Sequence, residues 1–210
     1  MSLQTPHTVD PDSREGSVQR GRDVAAAILE SATEKFHRRG FHGASMRAVA
    51  DGAGVTLSNV YNYFPAKSDI LLAILRTAVT EQIKITTSAV AGAGSSVVDR
   101  YSAGVESFVL FDLEHLDVAF VANSELRYLD APQREEIVAL RDVQQALFEE
   151  LIREGVALGG FRTPHPREAA TATLTMCAGV TVWYRPSGPL SARALARRYA
   201  RYALAIVEGT

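Results

Sequence analysis

Residues 54–69 read GVTLSNVYNYFPAKSD, and this stretch decides the fold. Thr56, Ser58, Asn59 and Asn62 crowd hydroxyls and amides into a few positions, and Leu57, Val60, Tyr61, Tyr63 and Phe64 interleave large apolar groups with them. A core helix would not hold the first set, and a solvated helix would not carry the second. Thr56 can cap a short helix that runs to about Tyr63. One face of it, Val60 and Phe64, must bury itself, and the other offers hydrogen-bonding groups to a partner.

Upstream, Ser45 can cap a helix whose inner face is Met46, Val49 and Ala50, with Gly52 and Gly54 near its end. Before that, Val24, Ile28, Ala32 and Phe36 recur every fourth residue from Arg22 to Arg39, and Gly40 stands where a helix C-cap belongs. Two helices joined by a glycine-containing turn form a helix-turn-helix. Its second helix would pack on Phe36, Phe41, Met46 and Val49. In that arrangement the first residues of the second helix meet base edges in a major groove. Amides and hydroxyls such as Thr56, Ser58 and Asn59 read bases, and rim aromatics such as Tyr61 and Tyr63 reach sugar and phosphate. Ser45 and Lys67 each stand at a helix N-terminus, where unpaired amides suit phosphate oxygens. Charge adds little: between Arg22 and Arg76, seven basic residues face five acidic ones. Short helices with mixed faces also occur in plain α-bundles, so spacing alone leaves both readings open.

The remaining chain is also helical in pattern. Further helices are predicted at about 67–88, 97–113, 115–129, 132–158, 166–185 and 191–207, with a flexible break at Val90–Ser96. No segment alternates with period two, so the fold class is all-α: an N-terminal three-helix helix-turn-helix domain over 21–66 and a helical ligand-binding and dimerisation domain over 67–210. Residues 1–20, polar and interrupted by Pro6, Pro11 and Gly16, read as a disordered tail. No signal peptide and no apolar run of membrane-spanning length appears, and Cys177 is the single cysteine, which points to a cytoplasmic chain without a disulfide framework. Neither a catalytic constellation nor a metal-ligand cluster stands out: the five histidines are scattered, the nucleotide-loop spacings are absent, and no cofactor is expected.

From Arg22 to Leu75 the chain resembles the tetracycline-repressor (TetR/AcrR) family of transcriptional regulators. The positions that carry the resemblance are Phe36, Gly40-Phe41, Ser45, Val49-Ala50, Ala53-Gly54-Val55, Tyr61, Tyr63-Phe64 and Lys67. It implies Ser45, Tyr61 and Lys67 on phosphates and Thr56, Ser58 and Asn59 at the groove face of a double-stranded operator. Three positions depart from the pattern: Ala44 replaces a common hydroxyl, Leu57 the frequent polar residue after the cap, and Ala66 a usual helix cap, the last at a cost of about 1 kcal/mol to the following helix.

The resemblance further implies a homodimer reading a palindrome, with the two last helices as its contact; an internal helix pair is the plainer alternative. NSELRYLD (123–130) and WYRPSGPLSARALARRYA (183–200) look like a branch of the family whose members often sense acyl-CoA thioesters. Pro186 and Ser191 also have a simple role as helix stop and cap. For such an effector, Phe108, Phe111, Phe120, Met176 and Trp183 would supply an apolar trough, and Arg127 and Arg185 the cations for its phosphates. A multidrug-type sensor of the same family, or a helical carrier or enzyme, is the rival reading.

Overall fold

The computed structural model describes residues 11–208, with side chains described from Gly21 onward. Among these residues there is no strand. The chain divides into two compact units, 1–70 and 71–210.

The first unit contains α1 (Pro11–Gly43), α2 (Met46–Ala53), α3 (Leu57–Tyr63) and the start of α4 (Lys67–Gly92). Helix α1 begins at Pro11, inside the stretch read as a tail over 1–20, and proline is tolerated in a first helical turn; residues 1–10 lie outside the described residues. Near its other end α1 turns sharply at Gly40, whose φ of 67° is left-handed. Ile28, Ala32 and Phe36 are fully buried, as the four-residue spacing predicts. Ser45 and Thr56 cap α2 and α3 by accepting the Ala48 and Asn59 N–H groups at 3.1 and 3.2 Å. Gly54 closes α2 in the left-handed region, φ 67°.

Helix α2 packs on α1 at close range. Gly52 lies against Ser31, whose hydroxyl donates to the Val49 carbonyl at 2.9 Å. The spacing of apolar residues did not reveal this contact.

The second unit holds the rest of α4, then α5 (Val97–Glu114), α6 (Leu116–Ser124), a 3-10 turn (Leu126–Tyr128), α7 (Ala131–Ala157), α8 (Pro166–Ala178), α9 (Val180–Trp183) and α10 (Ala192–Glu208). Helix α5 is central, touching α6, α7, α8, α9 and α10. Tyr101, Phe148 and Phe161 meet edge to face in its core, with Tyr101 centroids 6.1 and 5.4 Å from the other two. The Tyr101 hydroxyl lies 2.7 Å from Thr173 Oγ1. Two predicted helices are each broken. The one over 115–129 stops at Ser124, whose hydroxyl bonds back to the Phe120 carbonyl at 2.9 Å and competes with the helix ladder. The one over 166–185 is interrupted at Gly179 between α8 and α9. Among the described residues no helix is long and apolar enough to cross a membrane.

Candidate nucleic-acid interface and effector cavity

Helix α3 sorts its mixed sequence by face. Val60 is fully buried and Phe64 half-buried, whereas Thr56, Ser58, Tyr61, Asn62 and Tyr63 are exposed and Asn59 is half-buried. Asn62 joins the predicted set, because it stands one helical turn after Ser58 on the outward side. Tyr63 differs from Tyr61: its hydroxyl lies beside Gly21 of α1, close enough that an added methyl there would be 3.5 Å away. Ser45 and Arg47, both exposed, flank the first turn of α2.

Lys67 has an internal duty that the sequence did not disclose. Its ammonium donates to the carbonyls of Phe41 and Ala44 at 2.6 and 2.8 Å and sits 4.4 Å from the Phe41 ring centroid. Burial lowers its pKa. The lysine thus closes the turn between α1 and α2 from the first turn of α4. Two of its three N–H donors are used this way. The start of α4 is also better capped than Ala66 suggests. The Ala66 N–H donates to Asp69 Oδ2 at 2.9 Å, the reciprocal half of a capping box. Lys67→Met keeps the stem over Phe41 and removes the ammonium. We expect it to lower unfolding free energy by about 1–3 kcal/mol, because two carbonyls lose a charged donor. An unchanged denaturation midpoint would show the ammonium to be a spectator.

The second unit contains a cavity of about 390 Å³. Helix α4 contributes Ala78, Val79 and Gln82; α5 contributes Phe108, Phe111 and Asp112; α6 contributes Ala119 and Ala122; α7 contributes Arg141, Gln144 and Gln145; and α8 contributes Arg167, Thr171 and Leu174. Of the predicted ligand residues, Phe108 and Phe111 line it. The others stand elsewhere: Arg127 lies over the Tyr128 ring, Arg185 donates to the Tyr184 carbonyl at 2.9 Å, Trp183 is half exposed, and Phe120 and Met176 are half-buried outside the lining. The cavity's cations are instead Arg141, half-buried on α7, and Arg167, exposed in the first turn of α8. Asp112 is 3% exposed and accepts from Gln82 Nε2 at 2.7 Å. Burial raises its pKa to about 8, against the opposing pull of Gln82 and Arg141. Cys177, also buried, is pushed far up by desolvation, so it is packing rather than a reactive thiol.

Comparison with known proteins agrees with both halves. Residues 28–74 match the family described as bacterial regulatory proteins, tetR family, and residues 94–207 match the tetracyclin repressor-like C-terminal domain. The HTH-type transcriptional repressor KstR2 of Mycolicibacterium smegmatis is 27% identical over 183 residues, 87% of each chain. A tetR-family regulatory protein from Rhodococcus RHA1 superposes with a TM-score of 0.84 at 24% identity, covering 89% of this chain and 98% of that one. AibR, in complex with isovaleryl coenzyme A and operator DNA, gives 0.77 at 22% identity, covering 88% and 98%. Helix-turn-helix geometry, a separate helical unit with a cavity, and family matches to both lead to one conclusion: the chain belongs to the tetR family of bacterial transcriptional regulators.

Proposed function

We propose that this regulator is a cytoplasmic, homodimeric repressor that binds a palindromic operator and lets go when a small molecule fills the cavity of its second unit. The observation that carries this reading is the exposed face of α3, where Ser58, Tyr61 and Asn62 project beside the Thr56 cap while Val60 anchors the helix. Thr56, Ser58 and Asn59 are assigned to base edges, and Ser45, Tyr61, Tyr63 and the remaining Lys67 donor to the backbone. One such helix reads too few bases for specificity, and a two-fold pair reads twice as many. Val182, Trp183 and Tyr202, at 67%, 50% and 55% exposure, are large apolar groups on α9 and α10 that a second copy would cover. Leu195 and Val180, on the same two helices, are buried within the chain itself.

An acyl-CoA thioester is the effector class that the family resemblance favours, and the AibR complex holds such a molecule. A cavity of about 390 Å³ takes the acyl part, and the exposed Arg167 at its wall would meet the polar remainder. Helix α4 provides the link, since it carries Lys67 at one end and the cavity residues Ala78, Val79 and Gln82 farther along. An effector that favours a different α4 position by about 1–3 kcal/mol would change operator affinity roughly 5–150-fold.

Selection of bound duplexes from a random pool tests the proposal. The expected product is an inverted repeat with half-sites about one helical turn apart or a multiple of it; enrichment of no symmetric sequence would overturn it. On the selected site, Asn59→Ala should cost about 1–3 kcal/mol and relax one base position, whereas Tyr61→Phe should weaken all sequences alike. Anisotropy titrations against single-base variants separate the two patterns.

A further inference from the structure

We infer that the cavity is built for a ligand whose leading end is a hydroxyl group on an apolar body, read by the carboxamide of Gln144 and the carboxyl of Asp112. Both side chains line the cavity and are more than nine-tenths buried, at 5% and 3% exposure. Asp112 Oδ1 is satisfied by Gln82, but Oδ2 has no partner, nor has either Oε1 or Nε2 of Gln144. The neighbouring Gln145 shows the contrast: its amide donates to the Arg167 carbonyl and Thr171 Oγ1, both at 3.1 Å. Buried polar groups are nearly always paired, so three unmatched atoms on two residues that line the same cavity define what should arrive there.

The chemistry of those atoms selects the ligand class. A carboxamide presents a donor and an acceptor, and this one presents both whichever way the amide is turned. A carboxylate or ketone only accepts, which leaves the Gln144 oxygen unserved. A carboxylate would also add a further acid to a lining that already holds Asp112 and Asp142, and would compete with Asp112 for Arg141, whose guanidinium already donates to the Ala122 carbonyl at 2.7 Å. A hydroxyl donates once and accepts twice. Phe108, Phe111, Ala119 and Ala122 supply the apolar surroundings for the body behind it, and the volume lies in the range of small-molecule sites. On an acyl-CoA, the hydroxyl would sit at the end of the acyl chain remote from the thioester.

This inference rests on the second unit being an effector domain, but its test does not require DNA. Calorimetric titration of the full chain with 4-propylphenol, propylbenzene and 4-propylbenzoate compares a hydroxyl, a bare end and an anion on one skeleton. The expected result is binding of the phenol at least about tenfold tighter than either analogue, the size of effect that an unpaired buried polar group produces. Gln144→Leu should abolish that preference while leaving propylbenzene within about threefold; Gln144→Met, of similar length, serves if the leucine variant does not fold. Equal binding of phenol and propylbenzene, no binding of any of the three, or a preference that survives loss of Gln144 would overturn the inference and leave water as the partner of this wall. A chain that prefers the phenol yet selects no operator refutes the repressor reading alone, and one that selects an operator without preferring the phenol refutes this inference alone.

Discussion

Gly52→Ala is expected to destabilise the DNA-binding unit by roughly 1–3 kcal/mol, the range for overpacking a close-fitting contact. A methyl group at that position would lie 2.3 Å from Ser31 Oγ, far inside van der Waals contact. Ser31 cannot yield freely, because it is 6% exposed and its hydroxyl holds the Val49 carbonyl at 2.9 Å. Relief requires either breaking that bond or lifting α2 from α1, and lifting α2 displaces α3 with it. Operator affinity should therefore fall by about tenfold or more, since misplacing reading groups loses several contacts together. The double variant isolates the cause. Ser31→Ala alone removes one hydrogen bond at about 1 kcal/mol. In combination the nearest serine atom left is Cβ, 3.4 Å from the new methyl, an ordinary contact. The two changes should thus be less harmful together than their sum by at least about 1 kcal/mol. Strict additivity in denaturant unfolding would show that the Ser31–Gly52 contact is not what holds α2.

Asp112→Asn is expected to raise stability increasingly with pH. In the folded chain burial lifts the Asp112 pKa from an ordinary 3.8 to about 8. Between those values the folded state keeps a proton that the unfolded state has released. Unfolding free energy therefore declines as pH rises across that window, on the order of 1 kcal/mol per pH unit from this group. Below pH about 4 both states are protonated, and above about 8 both are ionised, so the contribution is level at either end. Asparagine has no proton to lose, and its carbonyl still accepts from Gln82. The difference in stability between variant and native chain should be small at pH 4, grow through neutrality and level off above pH 8 at a few kcal/mol. Taking the difference cancels groups that titrate alike in both proteins. A difference independent of pH would mean that water or Arg141 keeps the buried carboxylate charged at no cost.

Much of the fold was legible in the chain because the signals are local. Ser45 and Thr56 announce helix starts by their type and position, Gly40 and Gly54 mark where φ must turn positive, and the spacing of Ile28, Ala32 and Phe36 names a buried stripe. The mixed composition after Gly54 also declared a helix with one buried face. Even the apparent defect at Ala66 had its remedy three residues away, in Asp69.

The cavity was legible only in part. Phe108 and Phe111 were found through helical spacing, whereas Gln82, Asp112, Arg141 and Gln144 were not, although each is plainly polar in the sequence. A polar residue on an amphipathic helix normally faces water, and no rule of spacing says that three helices will turn such residues toward one cavity. The same holds for Lys67 and Ser31, whose partners lie 26 and 18 residues away. Local sequence by itself determined where helices begin, where they end and which face of α3 is offered outward, because capping, dihedral preference and periodicity act within a few residues. Tertiary structure alone decided which charges are buried, which glycine is indispensable and which side chains share a cavity, because those depend on how distant helices rotate and pack against each other.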